Sequence, residues 1–199
     1  MSIRRLIPVA GGLVLSLAAM PAASLHAQAK DDVKADTKWV HEVAADNLLE
    51  VNLGKMAERK ATNPAVKQFG ERMITDHGKA NQELLSMASS HGLPFKPGLG
   101  HRHEQKVDRL QKVQGKEFDR AYIRSMIENH TDDISYFENE GRQAKSAPVR
   151  DYAAKYLPTL QQHLSMAKQI AGQVGADTAL ANHATTAAPK GKPKSTTAK

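Results

Sequence analysis

The chain has 199 residues, a formal net charge of +7 and no cysteine. A chain without cysteine has no disulfide, no thiolate metal site, no cysteine nucleophile and no lipidated N-terminal cysteine. Two arginines near the start and four lysines near the end carry six of the positive charges, so the middle of the chain is close to neutral. A nucleic-acid partner is therefore not expected.

The first 27 residues are predicted to be a secretory signal peptide. Arg4 and Arg5 form a basic start, an apolar run follows over residues 6–19, and small residues come after it. The run is shorter than the roughly 20 residues that a membrane-spanning helix needs. We predict cleavage after Ala27, with Ser24 as the alternative, and export to the periplasm without a lipid anchor or a transmembrane helix.

Composition divides the rest of the chain into three parts. A short linker at 28–35 precedes a helical domain at 36–175, and a basic tail occupies 176–199. From about His183 onward the tail consists mainly of Ala, Thr, Pro and Lys without a large apolar residue, so we predict that it is disordered. The tail either keeps the protein soluble or contacts an envelope polyanion or a lipid through its lysines.

The apolar pattern of the domain is helical throughout, and no window alternates as a strand does. Asp36 or Thr37 is the predicted cap of the first helix, and Asn63 with Pro64 supplies the cap and first position of the second. Glycines and prolines then indicate a long connection that holds one short helix. The predicted helices span about 36–60, 64–91, 104–114, 117–144 and 147–175.

The two helical hairpins show a weak internal similarity. A shift of 83 residues pairs Glu50 with Asp133 and Phe69 with Tyr152. Two related hairpins joined by a long connection are a known plan for a four-helix bundle. The predicted fold class is therefore an all-α four-helix bundle.

Three helices carry a histidine midway along their apolar seams, at His77, His130 and His163. Glu50 on the first helix and Asp133, one turn after His130, lie at the same height, roughly 20 Å from the hairpin bends at about 1.5 Å per residue. Burying an unpaired polar group costs roughly 2–7 kcal/mol. Four such groups at one level, the three histidines and Glu50, indicate a buried site, and Asp133 lies one turn from His130 on the same face.

Two interpretations of this level remain open. In the first, Glu50, His77, His130, Asp133 and His163 bind one transition-metal ion (Zn, Fe, Cu or Mn), because imidazole and carboxylate groups are common ligands of such ions. In the second, the same side chains form a metal-free hydrogen-bonded network that only sets the helix register.

Two further groups have weaker metal signals. Asp76 is next to His77 in sequence but lies on a different helical face. It either orients a histidine of a neighbouring helix or forms an ordinary interhelical salt bridge, and we favour the salt bridge. His101, His103 and Glu104 look like a loose metal-binding cluster, but solvated loop histidines are the expected interpretation.

The stretches 47–81, 118–130 and 157–170, including the pair Asp76-His77, carry a family resemblance. They resemble a family of exported bacterial proteins, domain of unknown function 4142, described as predicted outer-membrane proteins and grouped with the ferritin-like superfamily. The resemblance implies a ferritin-like four-helix bundle over most of residues 38–172 and implies no particular activity.

The sequence departs from the di-iron pattern of that superfamily, which places a glutamate three residues before a histidine on two helices. The corresponding residues here are Ile74 before His77 and Leu160 before His163. No catalytic residue is predicted, and enzymatic activity has no positive support. We expect an exported envelope protein with a buried His/carboxylate centre that handles a metal or protects the envelope under stress. The alternative is a non-enzymatic helical interaction module that binds no metal.

Overall fold

The computed structural model of the protein describes residues 22–94 and 98–176, in which the chain forms five α-helices and no strand. This confirms the predicted all-α fold class. Most of the predicted signal peptide and the predicted tail beyond residue 176 lie outside the described residues. The helices are α1 (Ala22–Lys60), α2 (Pro64–Ser90), α3 (Gly100–Gln111), α4 (Gly115–Tyr136) and α5 (Ala147–Val174).

Four long helices form a bundle of two hairpins. α1 packs along α2, and α4 packs along α5. The hairpins meet through contacts of α1 with α4 and of α2 with α5, while the connection places α3 against α1 and α4. A single π-helical turn, Phe137–Gly141, extends α4 towards α5. The predicted arrangement of two hairpins joined by a long connection is therefore present.

Local sequence signals explain several helix ends. The Asn63 side chain accepts a hydrogen bond from the backbone N–H of Ala65 at 2.8 Å, and Pro64 occupies the first helical position of α2. Gly175 ends α5 with a φ of 65°, a left-handed conformation that favours glycine. These caps confirm the predicted start of α2 and the predicted end of α5.

The predicted start of the first helix is wrong. α1 begins at Ala22, and Asp36 lies inside it. The segment between them contains no glycine or proline and is rich in alanine, which favours an uninterrupted helix. The Asp36 carboxylate instead accepts hydrogen bonds from the backbone N–H groups of Lys145 and Ser146, at 3.1 and 2.9 Å. The predicted cap thus serves the turn before α5. The short helix α3 also begins earlier than predicted, at Gly100.

The apolar core consists of two clusters with a layer of polar side chains between them. Along α2, His77 lies between Met73 of the first cluster and Leu84 of the second. His130 and His163 have corresponding positions on α4 and α5. The first cluster includes Leu53, Phe69, Met73, Phe118, Tyr122 and Ile127, and the second includes Trp39, Val43, Leu84, Phe137 and Tyr152.

Candidate metal centre

Three helices bring His77, His130 and His163 together in the middle of the bundle. All three side chains are buried, with 4% of His77 and none of the other two exposed. Their ring centroids lie 5.3–5.5 Å apart. Each residue offers one ring nitrogen to a group in which all three nitrogens lie within 4.8 Å of one another.

Hydrogen bonds at the outer nitrogens of two rings fix their tautomers. The Nδ1 of His77 lies 2.9 Å from Oδ1 of Asn47, and the Nδ1 of His130 lies 2.9 Å from the backbone carbonyl of Met126. Both partners are acceptors, so each Nδ1 carries the proton and donates it. The Nε2 atom of each ring is then left with a free lone pair.

The third ring is held by a carboxylate. Nε2 of His163 lies 2.9 Å from Oδ2 of Asp76 and donates its proton to it. The same carboxylate oxygen accepts a hydrogen bond from Nε of Arg72 at 3.1 Å. Asp76 therefore orients a histidine of another helix, and its salt bridge with Arg72 lies within α2 rather than between helices as favoured from the sequence. The free lone pair of His163 is on Nδ1.

The three inner nitrogens consequently face one another without protons of their own. Nε2 of His77 is buried and has no hydrogen-bond partner. Nε2 of His130 and Nδ1 of His163 lie 3.3 Å apart. Two nitrogen ligands of a tetrahedral zinc ion, each at about 2.0–2.1 Å, lie roughly 3.3–3.4 Å from each other. The facing lone pairs repel unless a proton or a metal ion lies between them.

Burial keeps the rings neutral. It lowers the pKa of His77 well below its ordinary value, and the neighbouring rings lower it further. The pKa of His130 falls to about 3 for the same reasons. Burial also lowers the pKa of His163, although the adjacent Asp76 opposes the shift. Neutral imidazole is the form that binds metals, so the group needs to lose no proton at neutral pH.

Little space adjoins the centre. A small cavity of about 10 Å³ lies beside His77 and His163, with Asn47 and Tyr152 among the residues that line it. A volume of this size accommodates about one water molecule. The centre thus has room for one small additional ligand and none for an organic substrate.

The predicted carboxylates Glu50 and Asp133 are not in the three-histidine group. Oε1 of Glu50 instead accepts a hydrogen bond from Nδ2 of Asn129 at 2.8 Å, and Asp133 lines a separate cavity beneath α3. Burial raises the pKa of Glu50 to about 8 and raises that of Asp133 well above its ordinary value. The five predicted ligands therefore lie in two separate places.

Sequence reasoning missed the role of Asn47. Its side chain orients His77, and its Nδ2 lies 3.4 Å from the hydroxyl oxygen of Tyr152. The 83-residue shift pairs Asn47 with His130. This correspondence was the available signal for Asn47, because it places Asn47 in the first hairpin at the position that His130 occupies in the second.

The histidines of α3 differ from the predicted solvated loop. His103 is buried, with Nδ1 at 2.8 Å from the backbone carbonyl of Leu99 and Nε2 at 2.9 Å from Oδ1 of Asp46. Each ring nitrogen of His103 therefore contacts an oxygen acceptor. Because Asp46 belongs to α1, this side chain attaches α3 to α1. The neighbouring side chain of His101 is exposed, as expected, and lies 4.0 Å from Glu104.

The fold and the site define an all-α helical bundle with a buried group of three histidines. Residues 20–170 match the family described as domain of unknown function (DUF4142), and the chain belongs to this family. No curated protein sequence matches the chain significantly. None of the described helices is both long enough and apolar enough to cross a membrane.

Solved structures with a similar fold include two DUF305 proteins and CopM. A DUF305 protein of Streptomyces coelicolor, described as secreted, has 10% identity and a TM-score of 0.63 over 72% of this chain and 94% of its own. A DUF305 fragment from Deinococcus radiodurans has 14% identity and a TM-score of 0.62, over 70% and 96%. CopM in its Cu(II)-bound form has 18% identity and a TM-score of 0.58, over 69% and 96%.

Proposed function

We propose that this protein binds one transition-metal ion, copper or zinc, through His77, His130 and His163. The observation that carries the proposal is the arrangement of oxygen acceptors around the three rings. The outer nitrogen of each ring lies 2.9 Å from an oxygen acceptor, and one nitrogen of each ring lies within 4.8 Å of the other two. Such outer hydrogen bonds are the usual support of metal-ligating histidines.

The donor set favours copper or zinc over the other predicted metals. Three neutral imidazoles without a carboxylate in the group suit these ions, whereas iron and manganese sites commonly include carboxylate oxygens. A small site with one remaining coordination position is consistent with both ions. The similar fold of CopM, which was solved with Cu(II) bound, supports copper as the first ion to test.

The role that follows is the handling of a metal ion outside the cytoplasm. The lack of space for a substrate beside the rings favours binding or transfer of the ion over catalysis. The basic and apolar start of the chain supports export, as does the description of a similar structure as a secreted protein. We infer that the protein buffers or carries copper or zinc in the cell envelope.

A titration of chelator-treated protein, lacking any histidine tag, with Cu(II) and with Zn(II) tests this proposal. We expect one equivalent to bind. In the His163→Ala variant the affinity should fall by more than about 100-fold, beyond the 10–100-fold typical for loss of an outer hydrogen-bond partner. The exposed His101 provides the matched control, since His101→Ala should leave the affinity unchanged.

The rival function is a helical interaction module with a metal-free polar centre. The 3.3 Å contact between His130 and His163 favours it in one respect, because a single shared proton would make that contact a hydrogen bond. Wild-type protein that binds neither ion, together with a His77→Leu variant that folds with equal or greater stability, would contradict metal binding and support this alternative.

A further inference from the structure

A second polar region lies on the other side of α1 and α4, under the short helix α3. A cavity of about 330 Å³ opens there, and Asp46, His103, Lys106, Asn129 and Asp133 are among its lining residues. At roughly 30 Å³ per water molecule, it holds several waters. Its volume is far larger than the space beside the histidines.

Two carboxyl groups, one lining this cavity and one behind it, have oxygens without a protein partner. Asp133 is 9% exposed and lines the cavity, and its carboxylate makes no hydrogen bond or ion pair with any residue that the structure describes. Glu50 is 1% exposed, and its Oε2 atom is buried without a partner. An unpaired buried oxygen such as Oε2 of Glu50 is rare in proteins, whereas the carboxylate of Asp133 is accessible from the cavity.

Two of the three basic residues that line the cavity, Lys106 and Arg102, are already engaged. Nζ of Lys106 donates a hydrogen bond to Oδ1 of Asn129, and Arg102 lies 3.6 Å from Glu42 and 4.0 Å from Asp46. Including Glu50, the region contains five acidic side chains against three basic ones. His103 also lines the cavity, with its two ring nitrogens on the Leu99 carbonyl and the Asp46 carboxylate, and when it is charged the region still has one negative charge in excess.

The surroundings of Glu50 and Asp133 disfavour their ionised forms. Burial raises the pKa of both carboxyl groups, the nearby Asp46 adds to both shifts, and Lys106 opposes them. The negative charge of Glu50 raises the pKa of Asp133 further.

We propose that the cavity under α3 binds one hard divalent cation, magnesium or calcium, with Asp133 as its direct carboxylate ligand. Asp46 and Glu50 supply the neighbouring negative charge, and water completes the coordination shell. Among the described residues, the three histidines form the one group of three or more side chains whose ligand atoms all lie within 4.8 Å of one another, so the ion in this cavity keeps most of its water. Magnesium commonly binds in this way, through one or two carboxylates and several waters.

This site is independent of the three-histidine centre. Its donors are carboxylate and water oxygens, which suit magnesium and calcium, whereas the centre offers only nitrogen. Loss of a histidine should therefore leave this second site intact. The carboxylates predicted to complete the histidine centre would then belong to a different ion.

Terbium luminescence provides the test, because Tyr136 lines the cavity and can sensitise a bound Tb³⁺ ion. Wild-type protein should show one saturable equivalent of sensitised emission, and Ca²⁺ or Mg²⁺ should displace it. In Asp133→Asn the affinity for Tb³⁺ and for Ca²⁺ should fall at least about tenfold. Asp151→Asn, an exposed site on α5, is the matched control, and His163→Ala should bind Tb³⁺ normally.

A second variant separates loss of the site from loss of the fold. Glu50→Gln keeps the shape of the side chain and should also weaken Tb³⁺ and Ca²⁺ binding, while Glu58→Gln on the exposed face of α1 should not. Circular dichroism confirms that each variant is helical. Emission that persists in both Asp133→Asn and Glu50→Gln, or that neither Ca²⁺ nor Mg²⁺ displaces from the wild type, would overturn the proposal.

Discussion

The tautomer of His163 depends on a single carboxylate. Asp76 accepts the Nε2 proton, and this hydrogen bond directs Nδ1 towards the other two rings. The sequence contained Asp76 beside His77, yet the partner of Asp76 is on α5, 87 residues away. Adjacent residues of a helix point in different directions, so only the position of α5 shows which histidine this carboxylate serves.

Replacing Asp76 with Asn should weaken metal binding without removing a ligand. The amide accepts a weaker hydrogen bond than the carboxylate and leaves Arg72 without its ion pair. We expect a loss of about 10–100-fold in affinity, the usual effect of such partners. Competition with a chromophoric chelator measures it, and Asp151→Asn is the control. Wild-type affinity in the Asp76→Asn protein would show that Asp76 has no influence on the ligands.

Glu50 gives the metal-free protein a distinct pH dependence. Its ordinary pKa of 4.5 rises to about 8 in the folded protein. Between these values the folded state holds one more proton than the unfolded state, so stability is full below pH 4.5 and decreases as pH rises towards 8. The slope is about 1.4 kcal/mol per pH unit for one group.

In Glu50→Gln that contribution disappears. The free energy of unfolding is measured by urea titration at several pH values in the presence of a chelator. Between pH 5 and 8 its decrease per pH unit should be smaller in Glu50→Gln than in the wild type, and the difference between the two slopes should be about 1.4 kcal/mol per pH unit. Glu58→Gln should keep the wild-type slope. Parallel wild-type and Glu50→Gln profiles would mean that Glu50 is ionised in the folded protein.

At the scale of the elements, a close approach of α1 and α2 supports the position of His77. A Cβ atom on Gly54 would lie 2.7 Å from the backbone oxygen of Gly70 and 3.0 Å from Cγ1 of Ile74. Backbone atoms cannot move aside as a flexible side chain can. The two glycines therefore allow the helices to pack closely, and Asn47 on α1 reaches His77 on α2 across this interface.

Gly54→Ala should destabilise the protein by about 1–3 kcal/mol through overpacking, although alanine is the better helix former. Gly172→Ala on α5 is the control, because a Cβ there meets nothing within 4 Å. That variant should be neutral or more stable by up to about 1 kcal/mol. Urea denaturation compares the two. Equal stability of Gly54→Ala and the wild type would show that the helices separate without cost.

The whole molecule has an approximate internal symmetry. Asp36 on α1 binds the backbone of Lys145 and Ser146 in the α4–α5 turn. Asp119 on α4 binds Thr62 and Asn63 in the α1–α2 turn, with three hydrogen bonds of 2.5–3.0 Å. The 83-residue shift relates the two aspartates and also the two turns. Each hairpin thus holds the turn of the other, at opposite ends of the bundle.

Removal of either aspartate should loosen the association of the hairpins. Each change removes the hydrogen bonds between a buried carboxylate and two backbone N–H groups, and hydrogen bonds to charged groups contribute about 1.5–3 kcal/mol. Asp36→Ala and Asp119→Ala should each lower the urea midpoint, and their effects should add in the double variant because the sites are distant. The exposed Asp108→Ala is the control. A strictly local effect, with unchanged global unfolding, would contradict this role.

The sequence by itself determined the fold class, most helix ends and the common height of the three histidines. Each of these follows from local information: apolar spacing along a helix, capping residues, and the number of residues from each hairpin bend. Counting from Pro64 and from Pro148 was enough to place His77 and His163 at one level.

Only the tertiary structure decided which groups face one another at that level. Helix rotation and packing join Asp76 to His163 and Asn47 to His77. The same packing directs Asp133 to the cavity under α3 and Glu50 to the side chain of Asn129. Height along a helix is a property of the chain, but direction across the bundle depends on how four helices pack. The same reason explains why Asp36, read as a local cap, holds a turn 109 residues away.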